Sequence, residues 1–269
     1  MSYERFASQN IENIYGNPWF PILTPDEIVT NTILVSKNKL SYLDKDKYLE
    51  LDHGKINFNI LLTGEPRWGK TTAANIVELE TKPYLFPLNV IREASYEAKP
   101  DDLRWDDYGV FSYNIGYAIN GLSEFIKHSS SPEPQVNLYE RGLVDHFVFA
   151  EALTKWWGYE KEYSEYIEGF KKLFRLYLGR IDGIITCNSS ADTAIARGST
   201  TPKELLELLS DGYRNFPESL SRITTAGEIN PIVTLNLDFD KLEEPVQTLK
   251  RSIYTMFYWN LNDKVHANV

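Results

Sequence analysis

The segment GEPRWGKTT, which runs from Gly64 to Thr72, constrains the fold of this chain more than any other feature. It matches the spacing G-x-x-x-x-G-K-[ST] at every fixed position, through Gly64, Gly69, Lys70 and Thr71. The apolar run NFNILLT precedes the segment and the amphipathic run AANIVELE follows it, as expected for a loop between a strand and a helix. In this context the spacing predicts a phosphate-binding loop rather than an incidental glycine-rich turn.

Several residues of the predicted nucleotide-binding loop have a predicted chemical task or two alternative roles. The two glycines allow the backbone to wrap a phosphate, while the helix amides and the helix dipole supply positive potential. Lys70 is predicted to neutralise the outer phosphates and the Thr71 hydroxyl to ligate magnesium, while Thr72 is predicted to belong to the nucleotide-binding residues. Arg67 is predicted either to contact phosphate or to remain solvated. Trp68 stands where a small residue is more usual, and it is predicted either to shield the loop or to pack under it.

Beyond the loop, short apolar runs alternate with longer amphipathic runs. The runs INFNILLT, PLNVIRE, QVNLYE, DGIITCN and NPIVTLNL predict strands, and the segments between them predict helices. This alternation is typical of a parallel sheet flanked by helices, so we predict a three-layer α/β/α fold over residues 57–269. Residues 1–56 form an N-terminal extension in which TPDEIVTNTILV predicts a helix.

The composition limits the classes of partner and compartment. The formal charge of −10, from 28 basic and 38 acidic side chains, would repel a phosphate polymer unless basic residues gathered on one face. Nucleic acid is therefore a disfavoured partner. The single cysteine, Cys187, excludes an intramolecular disulfide framework and favours a reducing compartment. Because MSYERFASQN lacks the layout of a signal peptide and no apolar run approaches roughly 18 residues, we predict a cytoplasmic protein without a membrane partner.

Charged residues follow two of the predicted strands, at the edge where open parallel sheets place their ligands. Arg92 and Glu93 end the run PLNVIRE, whose apolar character predicts a buried strand, and Glu140 and Arg141 end the next strand. Either pair alone is explained by a salt bridge at the rim of the sheet. Two such pairs at the edge that carries a phosphate loop favour a functional site.

These segments together resemble the deoxynucleoside kinases and their thymidylate kinase relatives, which are P-loop kinases. The resemblance covers residues 57–216 and rests on three segments. GEPRWGKTT matches the phosphate loop, IREAS places a glutamate after the second strand, and LYERGLVDHFVFAEAL matches the family's Glu-Arg-Ser segment. The loop is specific for the superfamily, and the YERG segment with its aromatic helix points to the family.

The resemblance implies a kinase that uses ATP and Mg²⁺, with Glu93 as general base for the acceptor hydroxyl. It further implies that Arg141 steadies the charge of the transferred phosphoryl group and that Glu140 supports the metal beside Thr71. These roles agree with the chemistry, because phosphoryl transfer depends mainly on positioning and charge neutralisation. The family also has a basic lid over the donor phosphates, for which Arg197 in SADTAIARGSTTP is the matching cation. Relatives usually carry several arginines there, so Arg197 is either the lid cation or a charge at a helix end.

The sequence departs from the family at Gly142, where the nucleoside kinases have serine. Asp145 and His146 follow on the same helix, and His146 is predicted to pack rather than to bind a ligand. The segment DLRWDDYGVFSYNIGY places aromatic residues where the family lines its base pocket. Phe111 and Tyr113 are therefore predicted either to stack on a substrate base or to belong to the core.

The sequence thus predicts transfer of the γ-phosphoryl group of ATP to a hydroxyl of a nucleoside or nucleotide-type acceptor, with a homodimer as the candidate assembly. Three alternatives stay open. A nucleoside monophosphate kinase would need Arg92, Arg104 and Arg141 for the acceptor phosphate. A kinase of a hydroxymethylated base in DNA would need a basic groove. A nucleotide-operated switch ATPase would hydrolyse ATP slowly without an acceptor.

Overall fold

The computed structural model describes residues 57–65, 68–82, 88–92, 108–131, 135–178, 180–223 and 233–266. The N-terminal extension, with its predicted helix, lies outside these described residues. The elements in chain order are β1 (Asn57–Gly64), α1 (Lys70–Thr81), β2 (Leu88–Ile91), α2 (Tyr108–Ser129), β3 (Gln135–Glu140), α3 (Leu143–Trp157), α4 (Ser164–Leu178), β4 (Gly183–Asn188), α5 (Ala191–Ala196), α6 (Lys203–Ile223), β5 (Val233–Asp238) and α7 (Pro245–His266).

The strands form one parallel sheet in the order β2-β3-β1-β4-β5, which confirms the predicted parallel arrangement. The central strand β1 pairs with β3 through Leu62 and Glu140, and with β4 through Gly64 and Cys187. Since the strands run in the same direction, the phosphate loop after β1 and the charged residues after β3 meet at one edge. This carboxyl edge is where such sheets place their ligands.

Alternate residues of β1 supply two hydrophobic cores, because successive side chains of a strand point to opposite faces. Leu61 belongs to a core with residues of α2, α3, α4 and α6, among them Phe147. Leu62 belongs to the core on the other face, which includes Val77 of α1 and Ile253 of α7. Helices therefore cover both faces of the sheet, as the predicted three-layer fold requires.

The strand β2 differs from the prediction in its burial. It lies at the edge of the described sheet, and all four of its residues are only half-buried. The expectation of a buried strand before Arg92 was wrong, because an apolar run indicates a strand but not its place in the strand order. The strand also ends at Ile91, so Arg92 follows the strand instead of closing it.

The helix α3 forms over the same residues as the predicted segment LVDHFVFAEALTKWW, because both of its ends carry clear local signals. At the start, Asp145 Oδ2 accepts a hydrogen bond from the amide of Gly142 at 3.0 Å. At the end, Gly158 adopts a φ of +72°, and its amide caps the last carbonyls. Among the described helices, none combines the length and apolar character that crossing a bilayer demands.

Candidate active site

The phosphate loop is anchored to the sheet through Gly64. This residue has a φ of +119°, and a Cβ there would lie 2.0 Å from the carbonyl oxygen of Cys187. Its amide donates a hydrogen bond to Asp145 Oδ1 at 3.1 Å. Only glycine fits this close approach of the loop to β4, a requirement that adds to the predicted phosphate-wrapping role. At the other end of the loop, Gly69 has a φ of +73° and begins α1.

Lys70 places a buried cation at the start of α1. The residue is 6% exposed, and its Nζ donates hydrogen bonds to the carbonyl oxygens of Gly64, at 2.9 Å, and of Glu65. Thr71 and Thr72 lie exposed on the same first helical turn. An ammonium group beside the amides of a helix N-terminus provides the two features of an anion site. Arg67 lies outside the described residues.

Thr71 and Glu140 form the pair that fits a magnesium ion. Thr71 Oγ1 donates a hydrogen bond to Glu140 Oε1, although the two residues are 69 positions apart. Both donors are oxygens, which is the ligand type that Mg²⁺ prefers, and a magnesium ion that bridges phosphates needs only one or two protein ligands. The described residues contain no group of three or more His, Cys, Asp and Glu side chains that could hold a metal. Thr71 and Glu140 are the oxygen donors that would hold such an ion.

Arg92 forms salt bridges with two carboxylates at the same edge of the sheet. Its guanidinium lies 3.4 Å from Glu140 Oε2 and 2.7 Å from Glu78 Oε2, and it also bonds Asn75. The salt-bridge interpretation of Arg92 is thus confirmed, and both oxygens of Glu140 have partners. Glu93 and Arg104 lie outside the described residues, so their roles stay predictions.

Arg141 adopts an uncommon backbone conformation directly after β3. Its φ is +68°, which for a residue with a side chain costs on the order of 1 kcal/mol. Its amide donates a hydrogen bond to the carbonyl of Leu62 at 2.9 Å, which holds the turn at the edge of the sheet. Arg141 also lines a pocket with the apolar side chains of Leu61, Phe125 and Tyr139. A charged residue held in a strained turn beside a pocket is typical of a functional position.

Arg197 and Trp68 are brought together although they are far apart in the sequence. The Arg197 guanidinium carbon lies 4.2 Å from the centroid of the Trp68 ring. Trp68 is 1% exposed and its ring lies 5.0 Å from that of Phe239, so the packing interpretation of Trp68 is confirmed. The amide of Arg197 bonds the carbonyl of Thr193 at 3.1 Å and thereby ends α5. Its backbone ends a helix, while its guanidinium stacks on the ring of Trp68, a residue of the loop.

The structure gives Asp145 a role that the sequence analysis missed. This carboxylate is 3% exposed and accepts hydrogen bonds from the amides of Gly64 and Gly142 and from the Tyr213 hydroxyl, the last at 3.0 Å. It therefore ties the phosphate loop to α3 and α6. The family pattern drew attention to the position, but nothing in the spacing indicated an anchor for the loop.

His146 packs between helices, as predicted. Its Nδ1 lies 2.9 Å from Asn114 Oδ1 of α2. Burial lowers the pKa of the imidazole to about 4, so the ring is neutral near physiological pH. Phe111 is fully buried against Tyr163, at 4.8 Å between ring centroids, which confirms the core alternative for Phe111. Base stacking stays a prediction for the half-buried Tyr113.

Glu65 is a second residue that the sequence analysis missed, since it occupies an unconstrained position of the loop pattern. Its side chain is fully buried, and Oε2 accepts a hydrogen bond from Ser189 Oγ at 2.9 Å. Burial raises the pKa of this carboxyl to about 7, although the Ser189 hydrogen bond and the charge of Lys70 oppose the shift. A carboxyl group that titrates near neutrality therefore lies inside the phosphate loop.

The shifted pKa of Glu65 predicts a pH-dependent stability. The pKa of Glu65 in the folded protein, about 7, exceeds the ordinary value of 4.5. Its contribution to the free energy of unfolding is therefore fully present below pH 4.5 and is lost as the pH rises through 7. A shift of this size corresponds to about 3 kcal/mol in the free energy of unfolding. Glu65→Gln should remove this loss, and denaturant unfolding from pH 4.5 to 8 measures it. The exposed Glu243→Gln is the control, and parallel stability curves for Glu65→Gln and wild type would contradict the prediction.

The five parallel strands with helices on both faces, and the loop that joins β1 to α1 at the carboxyl edge, form an α/β fold of the P-loop kinase type. No protein-family model and no curated protein sequence matches the chain. Among solved structures, a deoxyadenosine kinase from M. mycoides with bound dATP has a TM-score of 0.50 and 17% identity, over 73% of this chain and 99% of that chain. A deoxyadenosine kinase from M. mycoides with bound dCTP has a TM-score of 0.48 and 16% identity, over 73% and 98%. The first similarity confirms the predicted P-loop kinase fold.

Proposed function

We propose that this chain is a phosphotransferase that moves the γ-phosphoryl group of ATP to a hydroxyl of a nucleoside or nucleotide-type acceptor. One observation carries the proposal: the Thr71 hydroxyl and the Glu140 carboxylate meet beside Lys70 at the phosphate loop. The pair matches the oxygen ligands of a magnesium–nucleotide complex. The fold that the chain shares with a deoxyadenosine kinase supports a nucleoside-type acceptor.

On the donor side, the chain provides charge neutralisation without any covalent step. Thr71 and Glu140 would hold magnesium, which supplies charge neutralisation at the phosphates when it is bound. The Lys70 ammonium now bonds two neutral carbonyl oxygens. Phosphate oxygens are stronger acceptors for an ammonium group, because charge-assisted hydrogen bonds are about twice as strong as neutral ones. Lys70 therefore exchanges its loop contacts for the outer phosphates of ATP.

On the acceptor side, the proposal assigns the base to Glu93 and the charge stabilisation to Arg141. Glu93 follows Arg92 in the chain, and Arg92 contacts Glu140 at 3.4 Å. Glu93 is thus the next residue along the chain after the one that contacts Glu140. The Glu93 carboxylate would accept the hydroxyl proton as the oxygen attacks the γ-phosphorus, the bond from that phosphorus to the β–γ bridging oxygen breaks, and ADP leaves. The Arg141 guanidinium would stabilise the charge on the transferred group. Arg141 itself lines a small pocket with Leu61 and Phe125.

A single screen tests the proposed function. The protein is incubated with γ-labelled ATP and magnesium against nucleosides, nucleoside monophosphates and hydroxymethylated DNA, and the labelled product is identified. We expect label on a nucleoside hydroxyl. Label on the phosphate of a monophosphate would indicate a monophosphate kinase, and label on DNA would indicate the third acceptor class. Release of free phosphate alone, at the same rate with and without acceptors, would contradict the proposal in favour of a switch ATPase.

Arg197→Ala is expected to slow phosphoryl transfer by roughly tenfold or more while changing ATP affinity by less than about threefold. The reason is that negative charge on the transferred group develops mainly in the transition state, where a guanidinium over the loop acts. Transfer rates at saturating ATP and calorimetric ATP binding separate the two effects. Arg180→Ala, an exposed arginine before β4, is the control. An unchanged transfer rate would assign Arg197 to the end of α5 alone.

A further inference from the structure

Two unusual features of the sequence meet in the structure. The segment after α5 offers one arginine where a basic lid would carry several, and the phosphate loop carries a tryptophan directly before Gly69. The guanidinium of Arg197 lies 4.2 Å from the centre of the Trp68 ring. We propose that Trp68 is a positioning residue that holds Arg197 over the phosphate loop before ATP binds. This inference rests on the proposed function, because it concerns how Arg197 reaches the donor phosphates.

The Trp68 ring is a fixed surface. It is 1% exposed, and Phe239, itself 3% exposed, packs at 5.0 Å between ring centroids and an interplanar angle of 37°. The residue also lies next to Gly69, where α1 begins and where the helix amides attract anions. A guanidinium that stacks on this ring is therefore held beside the anion site.

The backbone that carries Arg197 is also held in place. At the start of α5, the amide of Ser190 donates a hydrogen bond to Asp240 Oδ2 at 2.7 Å, and Ala194 is fully buried. In the first turn of α5, Asp192 Oδ1 contacts Lys203 Nζ at 2.6 Å, which ties α5 to the start of α6. Arg197 itself is exposed, so the guanidinium remains accessible to a phosphate while it stacks on Trp68.

The physical reason for such a contact is preorganisation. A free arginine side chain samples many rotamers, and a single cation has no neighbouring arginine to replace it when it points away. A cation over the face of tryptophan is attracted by the ring quadrupole, and tryptophan is the best of the aromatic side chains for this purpose. Electrostatic catalysis works through groups that are already in place when charge develops. Removing the ring should therefore cost roughly three- to tenfold in transfer rate.

Fluorescence tests the contact without any turnover. Arg197→Ala should change the tryptophan emission of the folded protein, because a cation is removed from the face of one indole. The same substitution in a Trp68→Phe background should leave the emission of the remaining tryptophans unchanged. Equal changes in both backgrounds, or no change in either, would overturn the contact. Because Arg197 is exposed, the first comparison, of wild type with Arg197→Ala, does not depend on a substitution in the core.

A double-mutant cycle tests the positioning role. Trp68→Leu is expected to lower the transfer rate roughly three- to tenfold with less than about a twofold change in the KM for ATP, and Trp68→Phe to restore most of the loss. In an Arg197→Ala background, Trp68→Leu should have no further effect. Trp156→Leu, a half-buried tryptophan of α3, is the matched control. Additive losses, or a Trp68→Leu rate equal to wild type, would overturn the proposal.

If Trp68→Leu does not fold, the cycle is run with Trp68→Phe, for which a loss of about twofold should also vanish in the Arg197→Ala background.

The two experiments separate this inference from the proposed function. If the wild type transfers phosphate to no acceptor, the proposed function fails, and the positioning role fails with it even where the fluorescence contact is found. If transfer is observed but the cycle is additive, the proposed function stands and only the role of Trp68 is overturned.

Discussion

Lys70→Ala is expected to lower the rate of phosphoryl transfer by at least about a hundredfold, which is the usual effect of removing one preorganised electrostatic contact. Lys70 is the buried cation of the phosphate loop, and its Nζ already lies within hydrogen-bond distance of two loop carbonyls. Without the ammonium group, the start of α1 keeps its helix amides but loses the only full positive charge that the loop pattern places there. The decrease should appear in the transfer rate at saturating acceptor.

The fold of the Lys70→Ala protein should survive, although two carbonyl oxygens lose a donor. An unsatisfied buried polar group costs about 1–3 kcal/mol, which a stable domain tolerates. Circular dichroism and denaturant unfolding check this point. Lys82→Ala, at the far end of the same helix, is the matched control, since Lys82 is exposed and its side chain lies a whole helix length away. Near-normal transfer by a folded Lys70→Ala protein would refute the phosphate-loop assignment.

The sequence predicted the fold well because its signals are local. The loop pattern fixed the junction of β1 and α1, and Gly142, Asp145 and Gly158 delimit α3 through backbone hydrogen bonds and a left-handed glycine. Apolar runs of strand length located all five described strands to within a few residues. The contact between Thr71 and Glu140 was also predictable, because strands in one parallel sheet end at the same edge.

What the sequence did not predict depends on contacts between distant segments. Glu65 occupies an unconstrained loop position, and only the fold buries it beside Ser189, which is 124 residues away. The stacking of Arg197 on Trp68 joins a helix end to the loop across a similar separation. β2 is only half-buried because it lies at the edge of the sheet. The apolar run that predicted this strand carries no information about its place in the strand order. In each case tertiary packing decided the surroundings of the residue, and the local sequence carried no information about that packing.

Glu93→Gln separates the classes of phosphoryl acceptor. If a hydroxyl accepts the phosphoryl group, glutamine keeps the shape of the side chain but removes the base, so the rate should fall by roughly two to four orders of magnitude. ATP affinity should change little, because the substitution lies on the acceptor side. If a phosphate accepts the group, no base is required, and Arg141→Ala should instead raise the KM for the acceptor through lost charge pairing. Glu97→Gln, four residues further along the chain, is the matched control.

We expect the first pattern, and the contacts of Arg92 strengthen that expectation. A monophosphate acceptor would need free cations at this edge, yet Arg92 is engaged by Glu140 at 3.4 Å and by Glu78 at 2.7 Å. The measurement is the transfer rate against pH for wild type and Glu93→Gln with the best acceptor from the screen. A base must be ionised to work, so the wild-type rate should fall at acidic pH, and this acidic limb should disappear together with the rate in Glu93→Gln. A Glu93→Gln rate within about threefold of wild type would remove Glu93 from catalysis and favour the monophosphate kinase, since a contribution that small is below that of a general base.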